Sequence, residues 1–383
     1  MRALANLLVD LRSDTFDEAA AAAARGRLAA RGFLIEECER DDALCAWIDM
    51  AFGGGWSGEA FRAKNLVVSQ DGQRRAFVSL AAQGLRYAWL RNEGARPGTG
   101  IFGPIGVSAE ARGSGIGGDL ALLGCLRLRE LGYERALIPA VGEVQLERFY
   151  ERALCARVVE RIDPMRWWEP RARVVAMASG NGSNLQALLD AIARSELPVD
   201  LAAVVVNRND AYAAERASIA GVRHIERVLW NRGEESRAGY DARLREIVER
   251  FEPEGVLLLG WMHLLDEHFV QRFPELLNLH PAYLPHDPRA DSVAVPGGGV
   301  IPAFRGARAV HDAFAAGTAW IGASVHRVST ETDRGEVLVR RPLACEGRSE
   351  SELAAALRPI EHRITVEAVR LWCFMRERVR VVG

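Results

Sequence analysis

The sequence is short of lysine: Lys64 is the only one, and arginine supplies the rest of the positive charge. It is also short of net charge. Its 49 basic and 51 acidic residues leave a formal charge of -2 at pH 7, so no basic surface points to nucleic acid. No apolar run reaches the roughly 18 residues that a membrane span requires. The segment Met1–Asp10 is interrupted too early for a secretory leader, which sets a cytoplasmic expectation. Six cysteines (Cys38, Cys45, Cys125, Cys155, Cys345 and Cys373) lack metal-ligand spacing. They are expected as buried free thiols of a reducing compartment, and no metal is expected. There is no internal repeat.

What is present is enough for two packed cores: 383 residues, 49% of them hydrophobic. The segment from Ile162 to Arg171 holds two prolines and a cluster of charge ahead of an apolar run. A boundary is therefore expected near 170, giving domains 1–170 and 171–383. The alanine run Ala19–Ala24 is expected as helix or linker.

The strongest chemical signal is Asn278-Leu279-His280-Pro281 followed by Asp333. Leu276–Leu279 reads as a buried strand ending at a polar site. Residues two apart on a strand share a face, so Asn278 and His280 emerge together. An amide, an imidazole and a carboxylate can polarise a carbonyl and relay protons from an attacking amine. Upstream, the apolar run Arg173–Ala178 passes into Ser179-Gly180-Asn181-Gly182-Ser183-Asn184 and then a helical pattern. Such a turn presents backbone N–H groups to a phosphate or carboxylate. It is equally readable as an ordinary strand–helix turn capped by Ser183 or Asn184. In the first half, the strand-like Phe102–Ser108 leads to Arg112-Gly113-Ser114-Gly115-Ile116-Gly117 and an amphipathic stretch, a second glycine-rich turn at a helix start.

Together Asn278, His280, Asp333, the 179–187 run and Gly260-Trp261-Met262-His263-Leu264-Leu265 resemble the folate-dependent formyltransferase family, most nearly its glycinamide ribonucleotide branch. That resemblance implies a doubly wound, Rossmann-like α/β domain using 10-formyltetrahydrofolate. It assigns Asn278 and protonated His280 to the formyl oxyanion, and Asp333 to fixing His280 and moving the proton. It assigns Met262, His263, Leu264, Leu265 and Thr332 to the pterin, and Arg237 to the folate's glutamate tail. Gly182, Ser183 and Asn184 would bind the acceptor's phosphate and Glu361 its hydroxyls. Arg305-Gly306-Ala307 is instead similar to the methionyl-tRNA and sugar-nucleotide branches, so the amine is left open. A segment from His286 to Pro302, with three consecutive glycines, is additional to the family pattern and is expected to form a mobile lid that sets acceptor choice.

The first half, over about 32–162, resembles the GNAT acetyltransferase superfamily, which implies a mixed α/β domain. Acetyl-CoA or another acyl-CoA would then bind along Arg112, Gly113, Ser114, Gly115, Ile116 and Gly117, with Tyr150 the acid protonating the departing thiolate. Tyr150 reads equally as a core aromatic beside Phe149. The two resemblances imply an enzyme formylating a primary amine of a small, phosphorylated acceptor, fused to a GNAT-like domain that acetylates the same or a related amine in specialised metabolism. The alternatives are a housekeeping glycinamide ribonucleotide formyltransferase or a formyltetrahydrofolate hydrolase, with the first half a non-catalytic interaction module.

Overall fold

The computed structural model describes residues 3–81, 96–163 and 171–376. The chain divides into two compact units, residues 3–52 and 56–163 in the first and 171–373 in the second. The boundary expected near 170 lies outside the described residues.

The first unit is a seven-stranded mixed sheet. Its strands are β1 (Leu4–Asp10), β2 (Leu34–Glu39), β3 (Lys64–Gln70), β4 (Gln73–Leu80), β5 (Thr99–Val107), β6 (Arg135–Val141) and β7 (Arg157–Ile162), in the order β2-β3-β4-β5-β6-β1-β7. The helices are α1 (Glu18–Ala30), α2 (Asp42–Ala51), α3 (Trp56–Phe61), α4 (Ile116–Glu130) and α5 (Val144–Leu154). The alanine run lies within α1, whose N-cap Asp17 accepts from Ala20 N at 2.7 Å, a contact worth about 1 kcal/mol. β1 lies between β6 and β7, antiparallel to both. Ala5, Leu7 and Val9 are fully buried there, so the first strand of the chain is an interior one. β5 and β6 pair in parallel only from Thr99↔Arg135 to Ile101↔Leu137. Beyond that, β5 stays with β4 as far as Val107 and β6 stays with β1 as far as Val141. The two strands part at their carboxyl ends.

The second unit is a seven-stranded sheet in the order β10-β9-β8-β11-β12-β15-β16. β8 (Ala172–Ala178), β9 (Val199–Val206), β10 (Ile225–Arg227), β11 (Gly255–Leu258) and β12 (Leu276–His280) are parallel. β15 (Trp320–Arg327) and β16 (Val337–Ala344) complete it antiparallel. The parallel strands read as unbroken apolar runs because both faces are covered. Their helices are α6 (Ser183–Ala193), α7 (Tyr212–Ile219), α8 (Arg237–Glu249), α9 (Glu267–Arg272), α10 (Ala309–Ala315) and the 26-residue α11 (Glu350–Met375). Strand order reverses between β8 and β11, and ligands of doubly wound sheets bind at the carboxyl ends beside such a switch. A Cβ on Gly255 would lie 2.7 Å from the Trp372 ring, so bare backbone in β11 is what seats α11.

The segment expected as a mobile lid is a packed hairpin. β13 (Ser292–Ala294) pairs with β14 (Val300–Pro302) in register Val293↔Ile301. Gly297, Gly298 and Gly299 take φ of +80°, +91° and +97° and make the turn, so their freedom is spent on reversal rather than on disorder. Val293, Val295 and Ile301 are buried against Tyr283, with Trp320 alongside. The cysteines also differ from expectation. Cys45, Cys125 and Cys373 are buried and Cys38 and Cys345 half-buried, but Cys155 is exposed, ending α5 in a left-handed conformation at φ 51°. Among the described residues, no helix is long and apolar enough to cross a membrane.

Candidate active site

β12 ends beside β11, one strand from the switch point, and its pleat sends Asn278 and His280 to one face. Antiparallel register sets His326 of β15 opposite Asn278. The turn from β15 to β16 then brings Asp333 back over both, at φ +53°. Asp333 Oδ2 accepts from Gly306 N at 2.7 Å and lies 3.6 Å from His280 Nδ1. Oδ1 lies 3.4 Å from His326 Nε2 and 3.5 Å from Asn278 Nδ2. Asn278 Nδ2 is also 3.3 Å from His326 Nε2.

Two carbonyls set the tautomers. His280 Nε2 donates to Phe304 O at 2.9 Å, and His326 Nδ1 donates to Arg327 O at 2.7 Å. When neutral, His280 therefore turns its Nδ1 lone pair toward the carboxylate. Burial holds the His280 pKa below its ordinary value, with Asp333 opposing and His326 and Arg305 adding to the fall. Burial thus favours the neutral imidazole. Burial alone would raise the Asp333 pKa. The His326 hydrogen bond, the His280 charge and the Gly306 N–H outweigh it and hold the carboxyl far below the usual range. Asp333 therefore rests ionised across from His280 Nδ1.

Asn278, His280, His326 and Asp333 line a cavity of about 410 Å³ together with Trp261, Met262, His263, Leu264, Leu265 and Thr332. Met262 and Leu264 are 63% and 74% exposed, so apolar side chains border the cavity without a protein partner to cover them. Asn184 and Glu361 line it as well, with Asn184 Nδ2 donating to Glu361 Oε2 at 3.1 Å. Burial raises the Glu361 pKa, and the Asn184 bond opposes the rise. Asn184 Oδ1 is buried without a partner.

Gly182 and Ser183 do not line this cavity. Gly182 caps α6 at φ 75°, with no side chain capping the helix; Ser183 opens the first turn, so neither Ser183 nor Asn184 is the cap. A Cβ on Gly182 would lie 2.7 Å from Ala213 Cα. Substitution there would report packing before it reported ligand binding. Arg237 does not line the cavity either: its Nε donates to Asp241 at 2.8 Å, and it also bonds Leu264 O.

In the first unit Arg112–Gly117 joins β5 to α4 as expected, with Gly113 and Gly115 at φ +80° and +82°. Asp119, in the first turn of α4, is held by Arg27 Nε at 2.9 Å and Arg31 Nη2 at 2.6 Å. Tyr150 is a core residue instead of an open acid. It is 6% exposed, packed edge-on to Phe102 and Phe149, and burial drives its phenol pKa up.

No local sequence pattern gives His326, Phe304, Arg305 or Gly306 a role in the site. Register alone reveals His326, and the carbonyl and N–H of Phe304 and Gly306 act through backbone, which no side-chain pattern signals.

The arrangement sets an amide donor, a buried imidazole and an ionised carboxylate beside an apolar slot, groups of the kind that acyl transfer needs. The formyl transferase family profile matches residues 172–292 and 298–369. Phosphoribosylglycinamide formyltransferase of Escherichia coli is 33% identical over 193 residues, half of this chain and 82% of that one. The Mycobacterium tuberculosis protein of that name is 36% identical over 200 residues, 52% and 83% of the two chains. The crystal structure of glycinamide ribonucleotide transformylase 1 from Symbiobacterium toebii, 31% identical, covers 54% of this chain and 89% of its own at a TM-score of 0.47. The chain belongs to the formyl transferase family, whose donor is 10-formyltetrahydrofolate.

His263, His280 and His362 all have pKa values lowered chiefly by burial. The unfolded chain therefore binds protons first as pH falls, and stability drops as pH passes below about 6.5, the unfolded value. The urea midpoint of the second unit is expected to fall between pH 7.5 and 5.5, with a shallower fall in His280→Asn. Equal slopes in the two proteins would count against a buried neutral His280.

Proposed function

We propose that the second unit transfers the formyl group of 10-formyltetrahydrofolate to a primary amine of a small acceptor. The observation that carries this reading is one cavity holding Asn278, His280 and Asp333 beside the apolar 261–265 segment. The amine attacks the formyl carbon, and the carbonyl pair moves onto oxygen, where Asn278 Nδ2–H stabilises it. His280 Nδ1 takes the amine proton, and the imidazolium faces Asp333. Collapse breaks the bond to N10, which receives the proton back from His280. Glu361 and Asn184 hold hydroxyls of the acceptor, and the uncapped start of α6 accepts its anion.

The first unit is read as an acyl-CoA domain, making the enzyme bifunctional and suited to specialised metabolism. Its support is the parting of β5 from β6 beside the Arg112–Gly117 turn, where unpaired strand edges and backbone N–H groups meet. The test uses the full chain with 10-formyltetrahydrofolate and 5-phosphoribosylglycinamide as probe amine, read by product mass. Formate released without amine would point to the hydrolase reading. Acetyl-CoA binding by calorimetry, lost in the double substitution Arg112→Glu and Gly115→Glu while formylation persists, is the outcome expected of the first unit. No heat with the unsubstituted chain would leave an interaction module.

A further inference from the structure

Three consecutive residues after the 292–302 hairpin reach both halves of the His280–Asp333 pair. Phe304 O takes the His280 proton at 2.9 Å, Arg305 Nε donates to Asp333 O at 3.3 Å, and Gly306 N donates to Asp333 Oδ2 at 2.7 Å. The Arg305 side chain is only 14% exposed. Its other nitrogens face back into the segment before the hairpin, Nη2 to Ala290 O at 2.7 Å and Nη1 to Asp291 Oδ1 at 3.3 Å. Arg334, the next residue after Asp333, repeats the connection, with Nη1 to Pro288 O at 3.0 Å and Nη2 to Asp291 Oδ1 at 2.5 Å. The hairpin beyond is anchored by Val293, Val295 and Ile301.

We infer that the 286–302 segment is a buttress for the catalytic pair, and that Arg305 is its positioning residue, fixing Asp333 against His280 through the 287–291 backbone. A lid would leave the pair alone and alter only acceptor entry. Here the segment's carbonyls and Asp291 hold the two arginines that flank the aspartate. A planar guanidinium suits this, since its three separate nitrogens each reach a different acceptor, whereas lysine offers its donors from one nitrogen only. Arg305 is also a cation facing His280, along with His326 on β15 and the opposing charge of Asp333.

The inference rests on the formyl-transfer reading, and the experiment separates the two. Arg305→Gln, Arg305→Lys and Asp291→Ala are compared with the unsubstituted chain, using 10-formyltetrahydrofolate and 5-phosphoribosylglycinamide. Misplacement by about 1 Å costs on the order of 100-fold, so kcat is expected to fall roughly 10- to 100-fold in Arg305→Gln with KM for the amine little changed. Loss of the cation raises the His280 pKa, so the acid limb of the pH profile moves up. Arg305→Lys keeps the limb but not the rate. Asp291→Ala lowers kcat several-fold without moving the urea midpoint. NMR titration of His280 Cε1–H reads the same shift without turnover, so absence of transfer in the unsubstituted chain counts against the functional reading alone. Wild-type kcat and His280 titration in Arg305→Gln overturn the buttress, as does a raised KM at unchanged kcat.

Discussion

Alanine at Asn278, His280 or Asp333 is expected to reduce formyl transfer by at least ~100-fold, the loss typical of removing one oxyanion donor. The three substitutions act on one network. Asn278→Ala removes the amide shared between His326 and Asp333. His280→Ala removes the proton carrier, and Asp333→Ala removes the charge that faces it at 3.6 Å. Because they act as a unit, the double variant His280→Ala with Asp333→Ala should be little worse than either single one. Binding of tetrahydrofolate, read by calorimetry, should change far less, since the apolar slot of Trp261, Met262, Leu264 and Leu265 is untouched. Asp333→Asn is the sharper probe: it keeps an acceptor for Gly306 N and loses only the charge, so a loss as deep as that of alanine would mean the charge is what matters. Unchanged turnover in His280→Ala would remove the imidazole from the chemistry.

The second large effect is expected at a residue that touches no substrate. A Cβ on Gly335 would lie 1.6 Å from Arg327 O, 2.7 Å from Arg327 C and 3.4 Å from His326 Nδ1. The obstacle is backbone, so no rotamer change relieves it. Arg327 O also receives the His326 Nδ1 proton, and Arg327 N bonds Glu336 O across the same turn. Gly335→Ala must therefore open the base of the turn that carries Asp333. Overpacking of this kind costs about 1–3 kcal/mol, visible as a lower urea midpoint, and the displaced aspartate should lower turnover at least ~100-fold. A variant with wild-type midpoint and rate would show that the turn tolerates the shift and does not set the geometry.

The sequence made the second unit legible where a local pattern carried the information. Apolar runs marked β8 and β12, and two-residue spacing put Asn278 and His280 on one face. It was less legible where function depends on pairing. His326 becomes part of the site through register with β12, and Phe304, Gly306 and Arg327 act by carbonyl or N–H. The 286–302 segment was misread because three glycines drew more weight than the flanking Val293, Val295 and Ile301, whose burial holds the hairpin. Burial, which composition does not reveal, is what lowers the His280 pKa.

The place of β1 in the first sheet has a consequence for how that sheet comes into being. Leu4–Asp10 is made before every other strand of this sheet, yet Leu7 must pair with Ile138 on one side and Val158 on the other. Local hairpins such as β3–β4 can close early, but this strand waits for more than a hundred residues of chain before either neighbour exists. Contacts so distant in sequence slow folding and prolong the time that apolar edges stay open. The sheet therefore closes around a strand made before its neighbours, and Leu7 and Val9 stay without their final partners until β6 and β7 exist.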